Sequence, residues 1–209
     1  MARLSLSLLG PFQVTLDGKP VTGFESGRVR ALLAYLAVEA DRPHRRDALA
    51  GLLWPDWPDR SALTNLRNAL SNLRKAIGDR ESAFPALLVS RETLQFNPAG
   101  DSWVDVHAFR TLTAADQPAG SQEEGIALYR GAFLEDFKLE DSAPFEDWIQ
   151  VAREQLHRQC LTALGQLAQH YEQRGDLDKA SEYVWRQIDL APWQEEARRR
   201  LMRLLALGG

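Results

Sequence analysis

Apolar and polar side chains alternate near the start of the chain as LSLSLLGPFQVTLDGKPV, residues 4–21, with Gly10-Pro11 and Asp17-Gly18 as turn signals between short runs. This period of two predicts a small antiparallel sheet, with a strand in Met1–Leu9. After Gly27 the period changes. Val29, Leu32, Leu33, Leu36 and Ala37 recur at helical spacing, and Pro43 stops this first helix near Asp41 by disfavouring helical geometry at Arg42. A second helix is predicted at about Arg45 to Trp54, with Leu49, Leu52 and Leu53 on its apolar face and Pro55 ending it. Trp54-Pro55-Asp56-Trp57-Pro58-Asp59 reads as a stiff aromatic loop whose two tryptophans are expected to pack into core or loop.

The third helix, Ser61 to Ile77, is the most informative stretch. Leu63, Leu66, Leu70, Leu73 and Ile77 form its apolar stripe. Its other face carries Thr64, Asn65, Asn68, Ser71, Asn72 and Lys75, short or forked hydrogen-bonding groups of the kind that reach base edges in a major groove. The segment holds no acid, while Arg60, Arg67, Arg74 and Lys75 supply positive charge, with Arg67 and Arg74 on the flanks where phosphates would lie. A polar stretch then precedes LLVS and TLQF, two apolar-rich runs separated by Arg91-Glu92, which is hairpin spacing. Arg-Glu is a poor two-residue turn, so a slightly longer loop is expected. Sheet, three helices and hairpin follow the order of a winged helix, whose third helix enters the major groove while the hairpin tip sets Arg91 against the neighbouring backbone or minor groove.

From Val104 onward strand signals give way to helical ones. Asp105 to Leu112 reads as a short helix, residues 117–120 as a loop, and Glu123 to Tyr129 as the start of another helix. From Pro144 a single helix of about 30 residues is predicted, marked by Trp148, Val151, Ala152, Leu156, Cys160, Leu164, Leu167, Ala168 and Tyr171 and capped by Gly175. Leu164, Leu167, Ala168, Tyr171, Ala180 and Pro192 fall at the positions of a tetratricopeptide pattern, with Leu164 in place of the usual Trp and Val184 where Phe is preferred. The expected fold is therefore an α+β N-terminal winged helix over residues 1–100, followed by an all-α TPR-like helical repeat domain over 101–209.

Charge divides the chain in the same way. Residues 1–100 carry 13 Lys or Arg against 10 acids, and residues 101–209 carry 12 against 19. A basic half and an acidic half point to two jobs. The single cysteine, Cys160, rules out an intramolecular disulfide or a thiolate metal cluster within the chain and points to a reducing cytoplasm. Met1–Leu9 is too short and too polar for a signal-peptide core, and no apolar run approaches the roughly 20 residues needed to span a bilayer, so no membrane partner is expected.

Enzymatic chemistry finds little support. G-x-x-x-x-G-K-[ST], H-E-x-x-H and G-x-S-x-G are all absent, and Gly23-Phe24-Glu25-Ser26-Gly27 has its serine one place off. His44, His107, His157 and His170 share no ligand-like spacing, so neither a metal nor a cofactor is expected. Arg198-Arg199-Arg200 with Arg203 lies opposite Ala197, Leu201, Leu204 and Leu205, which reads as the wet face of a helix.

With these pieces in place, the chain resembles bacterial regulators of the antibiotic-regulatory (SARP) type, an OmpR-like winged helix joined to a bacterial transcriptional activator domain. The similar segments are RVRALLAYLA, RRDALAGLLWPDWP, NLRNALSNLRKAIGD and LLVSRETLQFNP with WVDVHAF, then ALYRGAFLEDF, PFEDWIQVAREQL and GDLDKASEYVWRQIDLAPWQEEARRRLMRLL. The resemblance implies an activator that binds double-stranded DNA at direct repeats, self-associates on tandem sites and contacts RNA polymerase. By position, Thr64, Asn65, Arg67, Asn68, Ser71, Asn72 and Lys75 match the DNA-facing helix and Arg91 the wing. Asn68 and Asn72 are the candidates for adenine edges, and Arg67 or Lys75 for guanine or phosphate. Arg45 stands where such regulators often carry a capping Ser or Thr, so the second helix loses about 1 kcal/mol of cap unless Arg45 reaches a phosphate. Similar proteins often continue the superhelix or append an ATPase or sensor domain, so an N-terminal fragment of a larger regulator is one alternative. A protein-interaction adaptor is the other.

Overall fold

A computed structural model describes residues 4–82 and 84–208, so the Met1–Arg3 part of the expected first strand lies outside the described residues. The chain forms two compact units, residues 1–107 with 131–152, and residues 108–130 with 153–209.

In the first unit β1 (Leu4–Ser7) pairs antiparallel with β3 (Gln13–Leu16), which pairs with β4 (Lys19–Pro20). The alternation in the sequence is realised directly, since Leu4 and Leu6 are buried while Ser5 and Ser7 remain partly exposed. The fourth strand of this sheet is β8 (Ser102–Val104), parallel to β1. Just beyond it Asp105 is buried, and its Oδ2 accepts the backbone N–H groups of Leu8 and Leu9 at 2.7 and 2.9 Å. These bonds tie residues past 100 to the first sheet, so a single cut near residue 100 does not separate the units.

Helix α1 (Gly27–Val38) buries Val29, Ala31, Leu32, Leu33, Ala34, Leu36, Ala37 and Val38, apolar on nearly every side as a central helix must be. Packed around it are α2 (Arg46–Leu53) and α3 (Asp59–Ala76). A three-stranded antiparallel sheet follows, with β7 (Thr93–Phe96) between β6 (Leu87–Val89) and β5 (His44–Arg45). Residues 44–45 are therefore a strand, and the second helix starts one residue later than its apolar face alone indicates. The β6–β7 loop spans Ser90, Arg91 and Glu92, the lengthening expected for a poor two-residue turn.

The chain then returns to this unit at β9 (Phe133–Glu135), which pairs parallel with β2 (Gly10–Pro11) and corrects the expectation that strands end at Val104. Phe133, Phe145 and Trp148 pack with Tyr35 and Phe137 at ring-centroid separations of 5.0–6.1 Å, and Trp148 Nε1 donates to Glu39 Oε1 at 3.0 Å. Ser142 Oγ donates to the Leu52 carbonyl at 2.6 Å. Aromatic burial of this kind recruits a segment distant in sequence that no local period reveals.

The second unit is helical. It takes in the end of α4 (Asp105–Leu112), α5 (Ala119–Leu128), residues 153–173 of α6 (Ala143–Gln173), α7 (Leu177–Leu190) and α8 (Glu195–Gly208). The 31-residue α6 matches the single long helix expected, although Val151 is exposed and leaves the proposed stripe. Gly175, at φ +77°, turns the chain out of α6, and Asp176 accepts the Lys179 N–H at 3.2 Å to open α7. Small residues let the helices close on one another, with Ala168, Ala180, Val184, Ala197, Leu201 and Leu204 forming the core. Glu123 on α5 accepts the hydroxyls of Tyr171 and Tyr183 at 2.7 and 2.8 Å, and the Tyr171 bond leads the causes holding its carboxyl below the usual range.

Gly125 marks the closest approach in this unit. A Cβ there stands 2.6 Å from Thr113 Cγ2 and 2.9 Å from Leu112 Cβ. Gly125→Ala is expected to lose about 1–3 kcal/mol to overpacking, outweighing the gain of about 1 kcal/mol in helix propensity. Gly120→Ala on the same helix, with nothing within 4 Å, is expected to be neutral or stabilising. Urea denaturation of the two variants measures the contrast, and equal midpoints would refute it.

A candidate nucleic-acid interface

Burial decides which side of α3 faces outward. Ala62, Leu66, Ala69, Leu70 and Leu73 are buried within the helix and Ile77 at its end, whereas Leu63 is 38% exposed and drops out of the expected stripe. The opposite side presents Arg60, Thr64, Arg67, Asn68, Ser71 and Lys75 to solvent, at i, i+3 and i, i+4 spacing along about four turns. Asn65 and Arg74 are half-buried at the edges. The helix begins at Asp59, so one carboxylate sits in its first turn, where a negative charge suits the helix N-terminus. From Arg60 to Ala76 no acid follows.

Three of the expected contact residues are committed elsewhere. Asn72 lies only about 40° round the helix from Asn68, at the margin of the exposed strip, and tertiary contacts turn it inward. It is 8% exposed; its Oδ1 accepts the Glu25 N–H at 3.1 Å and its Nδ2 donates to the Gly23 carbonyl at 3.3 Å. Asn72 pins the loop leading into α1 and does not point outward as expected. Arg74 donates through Nε to buried Asp79 at 3.0 Å, and the other oxygen of Asp79 accepts the Leu87 N–H at 3.1 Å. That carboxylate joins the end of α3 to the first strand of the hairpin. Arg45 forms a two-point pair with Asp47, at 3.0 and 2.7 Å, and has no side-chain cap to offer α2.

Two cations escaped the sequence reading. Arg80 Nη2 donates to Ser71 Oγ at 3.0 Å, which brings an exposed guanidinium onto the α3 strip from the 3-10 turn at Asp79–Glu81. Arg46, half-buried, donates through Nε and Nη2 to the Ser90 carbonyl at 3.2 and 2.8 Å, while its backbone N–H donates to the Glu92 carbonyl at 2.9 Å. Arg46 thus holds the hairpin tip that carries exposed Arg91. Neither contact has a local sequence signal, because each depends on the β5–β7 pairing or on the turn after α3. Thr64 spends its hydroxyl proton on the Arg60 carbonyl at 2.9 Å and keeps its acceptor capacity and methyl exposed.

Elsewhere the surface carries less chemistry. Among the described residues no cluster of His, Cys, Asp and Glu is placed to hold a metal ion, and no helix is long and apolar enough to cross a membrane. Burial pushes the Cys160 thiol up to about 12, far from a reactive thiolate. Of the two tryptophans expected to pack into core or loop, Trp54 is buried beneath Arg28 and Trp57 is half exposed. Arg199, Arg200 and Arg203 line a polar groove of about 690 Å³ on α8, where Arg200 and Arg203 share the carboxylate of Glu172 at 2.9 and 2.8 Å and Arg199 pairs with Glu195.

Residues 104–209 match the bacterial transcriptional activator domain family. The chain belongs to that family. Its curated relatives include the transcriptional regulatory protein EmbR of Mycobacterium bovis and of Mycobacterium tuberculosis, each 43% identical over 66 residues, 32% of this chain and 17% of the relative. A solved structure of Mycobacterium tuberculosis EmbR in complex with a low-affinity phosphopeptide superposes with a TM-score of 0.62 over 98% of this chain and 65% of that one, at 23% identity, a likeness of fold. The chain therefore spans only part of the length of the relatives it matches.

Asn68 and Asn72 separate by experiment. Asn72→Ala is expected to cost about 1–3 kcal/mol of stability by leaving backbone groups of the 23–25 loop unpaired, while Asn68→Ala stays within about 0.5 kcal/mol of the parent. Chemical denaturation reads both values, and a fully stable Asn72→Ala protein would contradict the inward assignment.

Proposed function

We propose that this regulator binds double-stranded DNA in a sequence-specific manner, through a winged helix that lays α3 in the major groove and sets the β6–β7 tip against the adjacent backbone. The observation that carries this reading is the exposed strip Arg60, Thr64, Arg67, Asn68, Ser71 and Lys75, free of carboxylates and joined by Arg80. A helix used only to dock a protein has no reason to exclude Asp and Glu over such a length, whereas DNA presents a charge every 1.7 Å or so along its axis. Asn68 is the residue suited to an adenine edge, and Arg67 or Lys75 to guanine or phosphate. Asn65, at the edge of the strip, reaches sugar or phosphate. The reading is of a non-enzymatic activator acting at direct repeats near promoters. One such module makes limited contacts, so two copies side by side on repeated half-sites, with protein contacts between them, supply the remaining affinity. Contact with RNA polymerase then falls to surfaces outside the strip. The TPR-like helical unit serves protein contacts.

Titration of labelled duplexes selected from a random pool tests this. Binding is expected to weaken steeply with salt. Asn68→Ala is expected to lose about 1–3 kcal/mol at one base position, whereas Lys75→Ala weakens all sequences alike if it meets a phosphate. Absent or salt-independent duplex binding would overturn the reading in favour of an adaptor.

A further inference from the structure

A groove of about 620 Å³ opens at the first sheet, between the β3–β4 hairpin, the segment that leads into α1, and Arg30 on α1 itself. Phe12, Val14, Val21 and Phe24 give it apolar walls, and Arg30 carries the only charge among the residues that line it. That guanidinium is exposed, has no carboxylate partner among the described residues, and lies 5.5 Å from the centre of the Phe137 ring. Phe137 in turn sits 6.0 Å from Phe12, and Phe12 meets Phe24 edge-on at 5.8 Å. One cation therefore stands at the end of a run of three aromatic rings.

Both walls are held from behind. Asp17 and Gly18, at φ +50° and +76°, make the tight two-residue turn that closes the hairpin, and the Val21 N–H donates to the Val14 carbonyl at 2.9 Å, extending the pairing past β4. On the other side Asn72 of α3 grips the loop at Gly23 and Glu25, at 3.3 and 3.1 Å. A site shaped before its ligand arrives loses little to ordering on binding. A strand from another protein is a poor occupant, because β4 is the outermost strand of its sheet and consists of Lys19 and Pro20 alone, a charge and a residue with no N–H to offer an incoming backbone. The groove suits something smaller. Its volume of about 620 Å³ falls within the range of about 300–1,000 Å³ that small-molecule sites occupy, and its apolar lining with one charged group is the composition such sites share.

We propose that this groove binds a small aromatic carboxylic acid, with the ring against Phe12 and Phe24 and the carboxylate on Arg30. This goes beyond the DNA-binding reading and does not depend on it. A guanidinium forks onto a carboxylate through two parallel N–H groups, and the neighbouring rings, by excluding water, strengthen that pair. A neutral analogue keeps the ring contacts and loses the charge. Because Asn72 fastens one wall of the groove to α3, an occupant is felt at that side chain as well.

The test is amide NMR of the isotope-labelled full chain titrated with cinnamate and, separately, with cinnamyl alcohol, comparing the parent with Arg30→Gln and Phe24→Ala. Cinnamate is expected to give saturable shifts at residues 12–15 and 21–24 and at the side-chain amide of Asn72, with an affinity about tenfold above that of the alcohol. Arg30→Gln is expected to keep the parental melting temperature and to bind acid and alcohol alike, whereas Phe24→Ala weakens both. The proposal is overturned if cinnamate gives no saturable shifts in the parent, if its shifts spread equally over the α8 arginines, or if Arg30→Gln binds it as tightly as the parent does. None of these readouts involves DNA, so a chain that takes cinnamate here and binds no duplex upholds this site while removing the DNA-binding reading.

Discussion

Everything at the candidate interface depends on how α3 is rotated about its own axis. Leu66, Leu70, Leu73 and Ile77 are buried to within a few percent against the rest of the first unit, and that burial fixes which residues of an otherwise symmetrical cylinder meet solvent. A full leucine side chain removed from water is worth about 1.5–3 kcal/mol, so turning the helix by one residue would expose several of them at a cost no polar contact on the outer face could offset. The strip from Arg60 to Lys75 is therefore a consequence of the core. Its chemistry can vary without disturbing the fold, which is what a reader of DNA sequence requires.

Electrostatics then sorts the cations around that strip. Asp47 takes up Arg45, and Asp79 takes up Arg74 while also receiving the backbone of Leu87. These two carboxylates serve the scaffold, one on α2 and one at the junction of α3 with the hairpin. What is left facing outward is Arg60, Arg67, Lys75, Arg80 and Arg91, with Arg46 fastened to the hairpin tip. Residues 1–107 and 131–152 together carry 14 Lys or Arg against 18 Asp or Glu, so the cationic character of the α3 strip is local, set by internal pairing and not by the composition of the unit.

Much of this was legible from the sequence, and the exceptions have physical causes. Local periodicity located all three helices of the first unit, the hairpin and the 31-residue helix, because each buries a continuous stripe set by its own period. Asn72 was misassigned because a helical projection places it beside outward residues, while its true neighbours, Gly23 and Glu25, are 49 and 47 positions away. Arg46 and Arg80 were missed for the same reason: their partners come from a strand pairing and a turn that only the tertiary fold creates. The return of residues 131–152 to the first unit rests on contacts of Phe133 with Leu9, Phe137 with Phe12 and Trp148 with Tyr35, and no composition shift at residue 100 foretells it. The exposed strip itself was largely readable, since acid-free spacing is a property of the sequence alone.

The most direct measurement is backbone amide NMR of the labelled chain as duplex is added. The account expects shift changes confined to the outward positions of α3 between Arg60 and Lys75, to Arg80, and to residues 90–92 of the hairpin tip, with the α8 arginines silent. Changes centred on α8, or an unperturbed α3 in a protein that binds duplex, would contradict it.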